Sequence, residues 1–182
     1  MTENVTNVKA EIIDWIKAIG LAIVLGLFIK TFIFNTTLVD GNSMNDTLHH
    51  GDRLFTNKIL FLVSEPKRGD IVILKAPDDP SKDYIKRVIA IEGDTIKISE
   101  GKVYLNGELL NEPYEPADTY TYGEYFEDET LTIQKGEVFV MGDNRLRGAS
   151  KDSRMLGPIA VDAIKGKANF RYYPFDNMGS LK

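Results

Sequence analysis

The chain has no cysteine and only two histidines, His49 and His50, which stand side by side. The first absence excludes a disulfide framework, a thiol nucleophile and a cysteine-ligated zinc site. The second leaves little room for a histidine base. Positive charge does not predominate either: over 182 residues the formal net charge is −5, and no basic face stands out, so nucleic acid is not an expected partner. There is no internal repeat and no alternation of strands with helices, which argues against a parallel α/β sheet.

What the chain does have is one long apolar run. Ile12 to Phe34 is mostly apolar, Ala18 to Ile29 carries no charge, and Lys30 is the one interruption near its end. As a helix this run is long enough for a hydrocarbon core of about 30 Å, with Trp15 and Lys17 near one interface and Lys30 placed to snorkel at the other. A single transmembrane anchor over 12–34 is expected, behind a short N-terminal stretch 1–11. The competing reading, a cleaved signal peptide, lacks a small-x-small site before residue 43 and has an n-region of mixed charge. Lys9 and Lys17 share that side with Glu3, Glu11 and Asp14, so charge counting does not orient the anchor.

Beyond the anchor, residues 35–182 read as a mainly β, antiparallel domain. Strands are expected at Leu54–Lys58, Ile71–Ala76, Tyr84–Ile91, Thr95–Ser99, Lys102–Asn106, Leu131–Gln134, Glu137–Met141 and Ala168–Tyr172. Asn106-Gly107 between Val103-Tyr104-Leu105 and Glu108-Leu109-Leu110 is a two-residue hairpin signal. Residues 112–129, rich in acidic and aromatic side chains with Pro113 and Pro116, read as an excursion from the β core: a solvated loop with its rings lying on the domain, or else a partner-binding surface.

Chemistry is suggested by Gly41-Asn42-Ser43-Met44-Asn45-Asp46-Thr47-Leu48, directly after the apolar run. A serine hydroxyl needs a base to become a nucleophile. The histidines sit too close in sequence to fold back as that base, which leaves a lysine kept neutral by burial. Lys86 lies in an apolar strand, Tyr84-Ile85-Lys86-Arg87-Val88-Ile89-Ala90-Ile91, where period-two alternation puts Tyr84, Lys86 and Val88 on one face. Taken alone, a serine in a glycine-bearing turn is more often just a turn residue. Two other pairs, Ser64 with Lys67 and Ser99 with Lys102, have the S-x-x-K spacing, but Pro66 and Gly101 place them in turns rather than on one helical turn.

The order of blocks alters that balance. Ser43-Met44, Gly51-Asp52-Arg53-Leu54, Lys67-Arg68-Gly69-Asp70-Ile71-Val72, Tyr84-Ile85-Lys86-Arg87-Val88 with Gly93-Asp94, and Gly142-Asp143-Asn144-Arg145 with Ser150-Lys151-Asp152-Ser153-Arg154 follow one another along the chain. Together they closely resemble the type I signal peptidase family. The resemblance implies a membrane-bound serine endopeptidase, without metal or cofactor, that removes signal peptides from exported preproteins after small-x-small sites, with Ser43 as nucleophile and Lys86 as general base. It also implies a bacterial plasma-membrane protein, single-pass, with its β domain outside. Membrane lipid and signal peptides would be its partners, with the secretion translocase a further candidate.

By the same resemblance, Ser150 orients the lysine, and Asp143, Arg145, Asp152 and Arg154 hold the surrounding loop by ion pairs. Val39, Met44, Leu48 and Ile85 match positions lining the substrate pocket, although ordinary core packing would use the same residue types. The chain departs from the family pattern at Gly41, where some members have serine, at Asp46, where proline is usual, and by two extra residues between Arg145 and Ser150. Those extra residues should bulge outward, with Gly148 taking the turn. Two other functions remain compatible: a tethered peptide-binding module without activity, and a self-cleaving Ser-Lys protease.

Overall fold

The computed structural model describes residues 3–28, 34–57 and 64–181. Helix α1 (Glu3–Phe28) comes first, followed by strands β1 (Phe34–Leu38), β2 (Arg53–Asn57), β3 (Ile71–Lys75) and β4 (Asp83–Ala90). Next are β5 (Thr95–Ser99), β6 (Lys102–Leu105), β7 (Glu108–Leu109), β8 (Thr130–Thr132) and β9 (Glu137–Met141). The chain ends with the single helical turn α2 (Ser153–Leu156), then β10 (Ile159–Ala160), β11 (Ile164–Tyr173) and β12 (Gly179–Ser180).

The expected anchor is helical as far as Phe28, and every side chain described along it, from Val8 to Leu27, is exposed. Among the described residues no helix is long and apolar enough to cross a membrane. The physical reason is the charge of Glu11, Asp14 and Lys17, which enters any stretch of α1 approaching membrane length. Residues 29–33 of the expected span, with Lys30, lie outside the described residues, as does Lys58.

The strands form two sheets with antiparallel pairing throughout. The larger runs β1-β2-β11-β3-β4-β9-β10 with β12 on β11, and the smaller runs β7-β6-β5-β8. Strand β3 is central, and alternation buries it on both faces: Ile71 and Ile73 join Val39, Met44, Leu48 and Leu54 on one side, while Val72 and Leu74 join Val88, Val138 and Val140 on the other. A third apolar cluster, including Ile89, Ile96, Ile98, Val103, Ile133 and Phe139, joins the smaller sheet to β4 and β9. The Asn106-Gly107 hairpin forms as expected, with φ of 54° and 84°, the doubly positive backbone that a two-residue turn of this kind requires.

Strands β1, β10 and β12 have no counterpart among those expected, and β11 starts earlier. Strand β1 pairs with β2 from Phe34 to Leu38, where only the end of the apolar run was read. Strand β11 begins at Ile164 rather than Ala168. Its first half is interrupted in pattern by Lys165, Gly166 and Lys167, and Gly166 permits a backbone approach in which a Cβ would meet Thr56 Cγ2 at 2.7 Å and Asn57 O at 2.8 Å. The two lysines pair outward with Asp83 and Asp70.

One consequence of the topology positions the site. Strand β4 pairs with β3 along Asp83 to Arg87 but with β9 only from Arg87 onward, so the other edge of Asp83–Lys86 is left open.

Candidate active site

Ser43 sits in a tight turn built by local backbone bonds, from Thr47 and Leu48 N–H to Met44 O at 2.9 and 2.8 Å. Met44 and Leu48 are buried beneath it and fix it to the core, while Gly41 at φ 110° supplies the conformation that starts it. Arg171 donates to Thr47 O at 3.1 Å and to the buried Asp52 at 2.9 Å, holding the turn from β11. From the far end of the chain, Asn144 N–H donates to Ser43 O at 3.0 Å and its side-chain amide to Asn42 O at 3.0 Å.

Strand β4 delivers Lys86 to this turn. Its Nζ donates to Ser43 Oγ at 2.8 Å and to Ile85 O at 3.0 Å, with the Tyr84 ring 5.1 Å away on the same strand face. Only 3% of Lys86 is exposed, and burial brings its amine down from the ordinary 10.5 to about 8. Asp152 and Asp143 oppose this lowering and Arg154 assists it. With a pKa of about 8 a usable share of the amine is unprotonated near neutrality, and an unprotonated Nζ at this distance is able to accept a hydroxyl proton. Neither histidine is a hydrogen-bond partner of the hydroxyl: His50 Nδ1 instead accepts from Gly41 N–H at 3.3 Å.

Beneath the pair runs a belt of buried charge. Arg87 grips Asp143 with two hydrogen bonds of 2.9 and 2.7 Å and stacks 3.8 Å from the Tyr114 ring centre. Arg154 grips Asp152 at 2.9 and 2.8 Å, and Gly142 N–H donates to the same carboxylate at 2.9 Å. Burial alone would push the Asp152 carboxyl up, but Arg154 and Gly142 bring it below its usual range. Arg145 donates to Gly142 O at 2.9 Å and binds Glu112 at 2.6 and 3.2 Å.

These contacts bring Asp143, Arg145, Asp152 and Arg154 into one loop-holding network. They also introduce Arg87, Arg171, Asn144, Glu112 and Tyr114, which sequence reasoning did not single out. Arg87 could have been found: a buried arginine beside Lys86 on the opposite strand face requires a carboxylate. The excursion 112–129 is mostly exposed, as expected of a loop with its rings lying on the domain, but Glu112, Tyr114 and Thr121 pack under the arginines.

Ser150 is buried, and a Cβ at Gly142 would overlap both its hydroxyl and Ser43 O. Its hydroxyl is close enough to Asp152 to help lower that carboxyl, yet it meets no partner at normal hydrogen-bond geometry. A bond from Ser150 to Lys86 is thus not among those the structure makes. The extra residues do bulge outward: Leu146 is exposed, Gly148 takes φ 67°, and Ala149 N–H closes the turn on Leu146 O at 3.1 Å.

A groove of about 340 Å³ opens beside the pair, walled by 35–41, Ser43 and Met44 on one side and by the open edge 83–86 on the other. Val39, Met44 and Ile85 line it. Leu48 does not; it lies fully buried under the turn as core.

A hydroxyl bonded to a desolvated amine on the wall of an open groove is chemically equipped for serine-lysine hydrolysis. The family described as signal peptidase, peptidase S26, matches residues 12–173, and the chain belongs to that family. It is 40% identical to signal peptidase I of Bacillus licheniformis over 97% of this chain and 96% of that one. It is 41% identical to signal peptidase I T of Bacillus subtilis, over 93% and 90% respectively. A solved structure, a signal peptidase I from Enterococcus faecalis, is 29% identical with a TM-score of 0.47 and covers 58% of this chain and 97% of that one.

Proposed function

We propose that the protein is a serine endopeptidase that removes N-terminal signal peptides from exported preproteins, with Ser43 as nucleophile and Lys86 as general base. The observation that carries the reading is the 2.8 Å contact between Lys86 Nζ, held near a pKa of about 8, and Ser43 Oγ. The neutral amine takes the hydroxyl proton as Oγ attacks the scissile carbonyl. The oxyanion that forms faces the Ser43 N–H, which no acceptor among the described residues engages. The lysinium then gives its proton to the leaving amine, the acyl group remains on Ser43, and water activated by Lys86 releases it.

The substrate lies extended in the groove, adding a strand between 35–41 and the open edge of 83–86, with small side chains before the cut facing Val39, Met44 and Ile85. The N-terminal segment anchors the chain in the plasma membrane as a single span, with residues 35–182 on the extracytoplasmic side. The uncharged run Ala18–Ile29 and the fully exposed apolar surface of α1 support this placement. Arg87, Asp143, Arg145, Asp152 and Arg154 position the base, and the buried Ser150 orients it.

Incubating full-length protein with a preprotein bearing an A-x-A site tests the proposal. Cleavage after the second alanine by wild type, and none by Ser43→Ala or Lys86→Ala, is the expected result. Binding without cleavage by the wild type would make the protein a tethered peptide-binding module instead.

A further inference from the structure

A second opening lies on the far side of Ser43 and has no part in the steps above. It begins two residues past the nucleophile and encloses about 460 Å³ between Asn45 and Asp46, the 115–122 segment with Glu115 and Asp118, and the loop carrying Asn144 and Leu146. The groove at 35–41 and 83–86 receives the acyl half of a substrate, so this cleft faces the half that leaves.

Its polar groups are unbalanced in one direction. The Glu115 side chain is only 6% exposed, and neither of its carboxyl oxygens has a hydrogen-bond partner. Arg145 Nε approaches to 3.6 Å, but its N–H is donated to Gly142 O, and the other guanidinium nitrogens donate to Glu112 and Thr121. Asn45 Oδ1 is another buried acceptor without a donor. Asp46 and Asp118 add exposed carboxylates at the rim. Arg145, the cation in the lining, is ion-paired with Glu115 but gives its hydrogen bonds elsewhere, so the cleft keeps buried acceptors without a donor, and such an acceptor favours any ligand that supplies one.

Burial pushes the Glu115 carboxyl up to about 8, with Asp143, Glu112 and Asp46 adding to the rise and Arg145 opposing it. An incoming cation restores its charge. Among the described residues no group of three or more carboxylates, histidines or cysteines has the arrangement of a metal site, which leaves an ammonium or guanidinium as the fitting chemistry. The walls suit a long side chain. Leu146 and the Tyr120–Tyr122 pair, ring centres 4.8 Å apart, offer apolar surface for its stem, and Gly148 N–H pins the bulged loop to Glu124 at 2.9 Å.

Resting on the assignment of Ser43 as nucleophile, we propose that this cleft is a specificity pocket for a lysine or arginine side chain among the first few residues on the C-terminal side of the cut. The test uses full-length protein and peptides identical through the A-x-A site, with Lys, Leu or Glu at each of the next three positions. At one of these positions, kcat/KM should favour Lys over Leu by roughly tenfold and place Glu below Leu. Glu115→Gln should reduce that ratio to within about twofold. Asp118→Asn, an exposed change that leaves packing intact, should reduce it in part.

Equal turnover of all three peptides at every position would overturn the pocket, as would a lysine preference untouched by both variants. Binding of the same peptides to Ser43→Ala separates this inference from the one beneath it. Tighter binding of the lysine peptide without turnover by wild type would remove the catalytic role of Ser43 and keep the pocket, whereas efficient but charge-indifferent cleavage would do the reverse.

Discussion

Strand β4 passes through two interiors of opposite character. At Ile89 and Ala90 it enters the apolar cluster shared with the smaller sheet, where Ile96, Ile98, Val103, Ile133 and Phe139 are buried without a charge among them. One turn of the pleat earlier, Lys86 and Arg87 are equally buried, and around them Arg145, Arg154, Asp143 and Asp152 are almost wholly removed from water. The apolar interior asks only for shape and volume, and any well-packed set of hydrophobes would serve. The charged interior gains little net stability from its ion pairs, since desolvation offsets most of their attraction. What it supplies is direction: the paired forks of Arg87 and Arg154 allow one arrangement of the loop that meets Ser43.

The sharpest way to separate the two interiors is through the reacting pair. Ser43→Ala and Lys86→Ala should each lower kcat/KM by roughly 10⁴-fold or more, with the double variant no worse, because the proposed mechanism makes the two act as a unit. Thermal unfolding of all three should stay close to wild type. Residual turnover in Lys86→Ala without added amines would remove lysine from the chemistry.

Next in size are disruptions of packing on either side. Arg154→Met strands the buried Asp152 carboxylate and should cost about 3–5 kcal/mol in denaturant unfolding. Ile98→Ala, in the apolar interior, should cost about 2–5 kcal/mol. The difference lies in the pH profile. Wild-type kcat/KM should rise through one ionisation at about 8. Asp152 favours the charged lysine, so Asp152→Asn should move that rise to lower pH. Ile98→Ala should leave it in place; a shift there would mean that the two interiors are not independent.

The smallest effect concerns the stability of the lysine itself. Its folded value of about 8 lies below the ordinary 10.5, so the native state binds fewer protons than the unfolded chain between these values and gains stability as pH rises through that window. Lys86→Met, which removes the penalty, should be more stable than wild type at pH 7 by about 1–3 kcal/mol, with the advantage fading toward pH 10.5. Equal unfolding midpoints at pH 7 would contradict a desolvated amine.

The apolar interior was largely legible in the chain. Alternation marked β4, β5, β6 and β9 within a residue or so, and Asn106-Gly107 fixed its hairpin, because period and turn chemistry are local properties. The contact between Ser43 and Lys86 was legible for a different reason, through a lysine in an apolar strand and the order of the sequence blocks. The charged interior was not legible in full. Glu112 and Arg145 are 33 residues apart and Asp52 and Arg171 are 119 apart, so nothing local ties them. The composition of 112–129 reads as solvated because its carboxylates find their arginines only in the fold. Leu48 illustrates the same limit, since a buried leucine and a groove-lining leucine look alike in sequence.

The clasp of Asn144 on the Ser43 turn has a consequence for synthesis. Its side chain spans 102 residues to reach Asn42, so the Ser43 turn is made early in translation and its clamp late. A chain released at Met141 would hold both Ser43 and Lys86 but neither the Asn144 clasp nor the Asp143 and Asp152 carboxylates that favour the charged lysine. Such a fragment is expected to show no peptidase activity even when membrane-bound, as measured on the A-x-A preprotein. Competence thus arrives with the last quarter of the polypeptide, and a protease built this way stays silent while it is still being made.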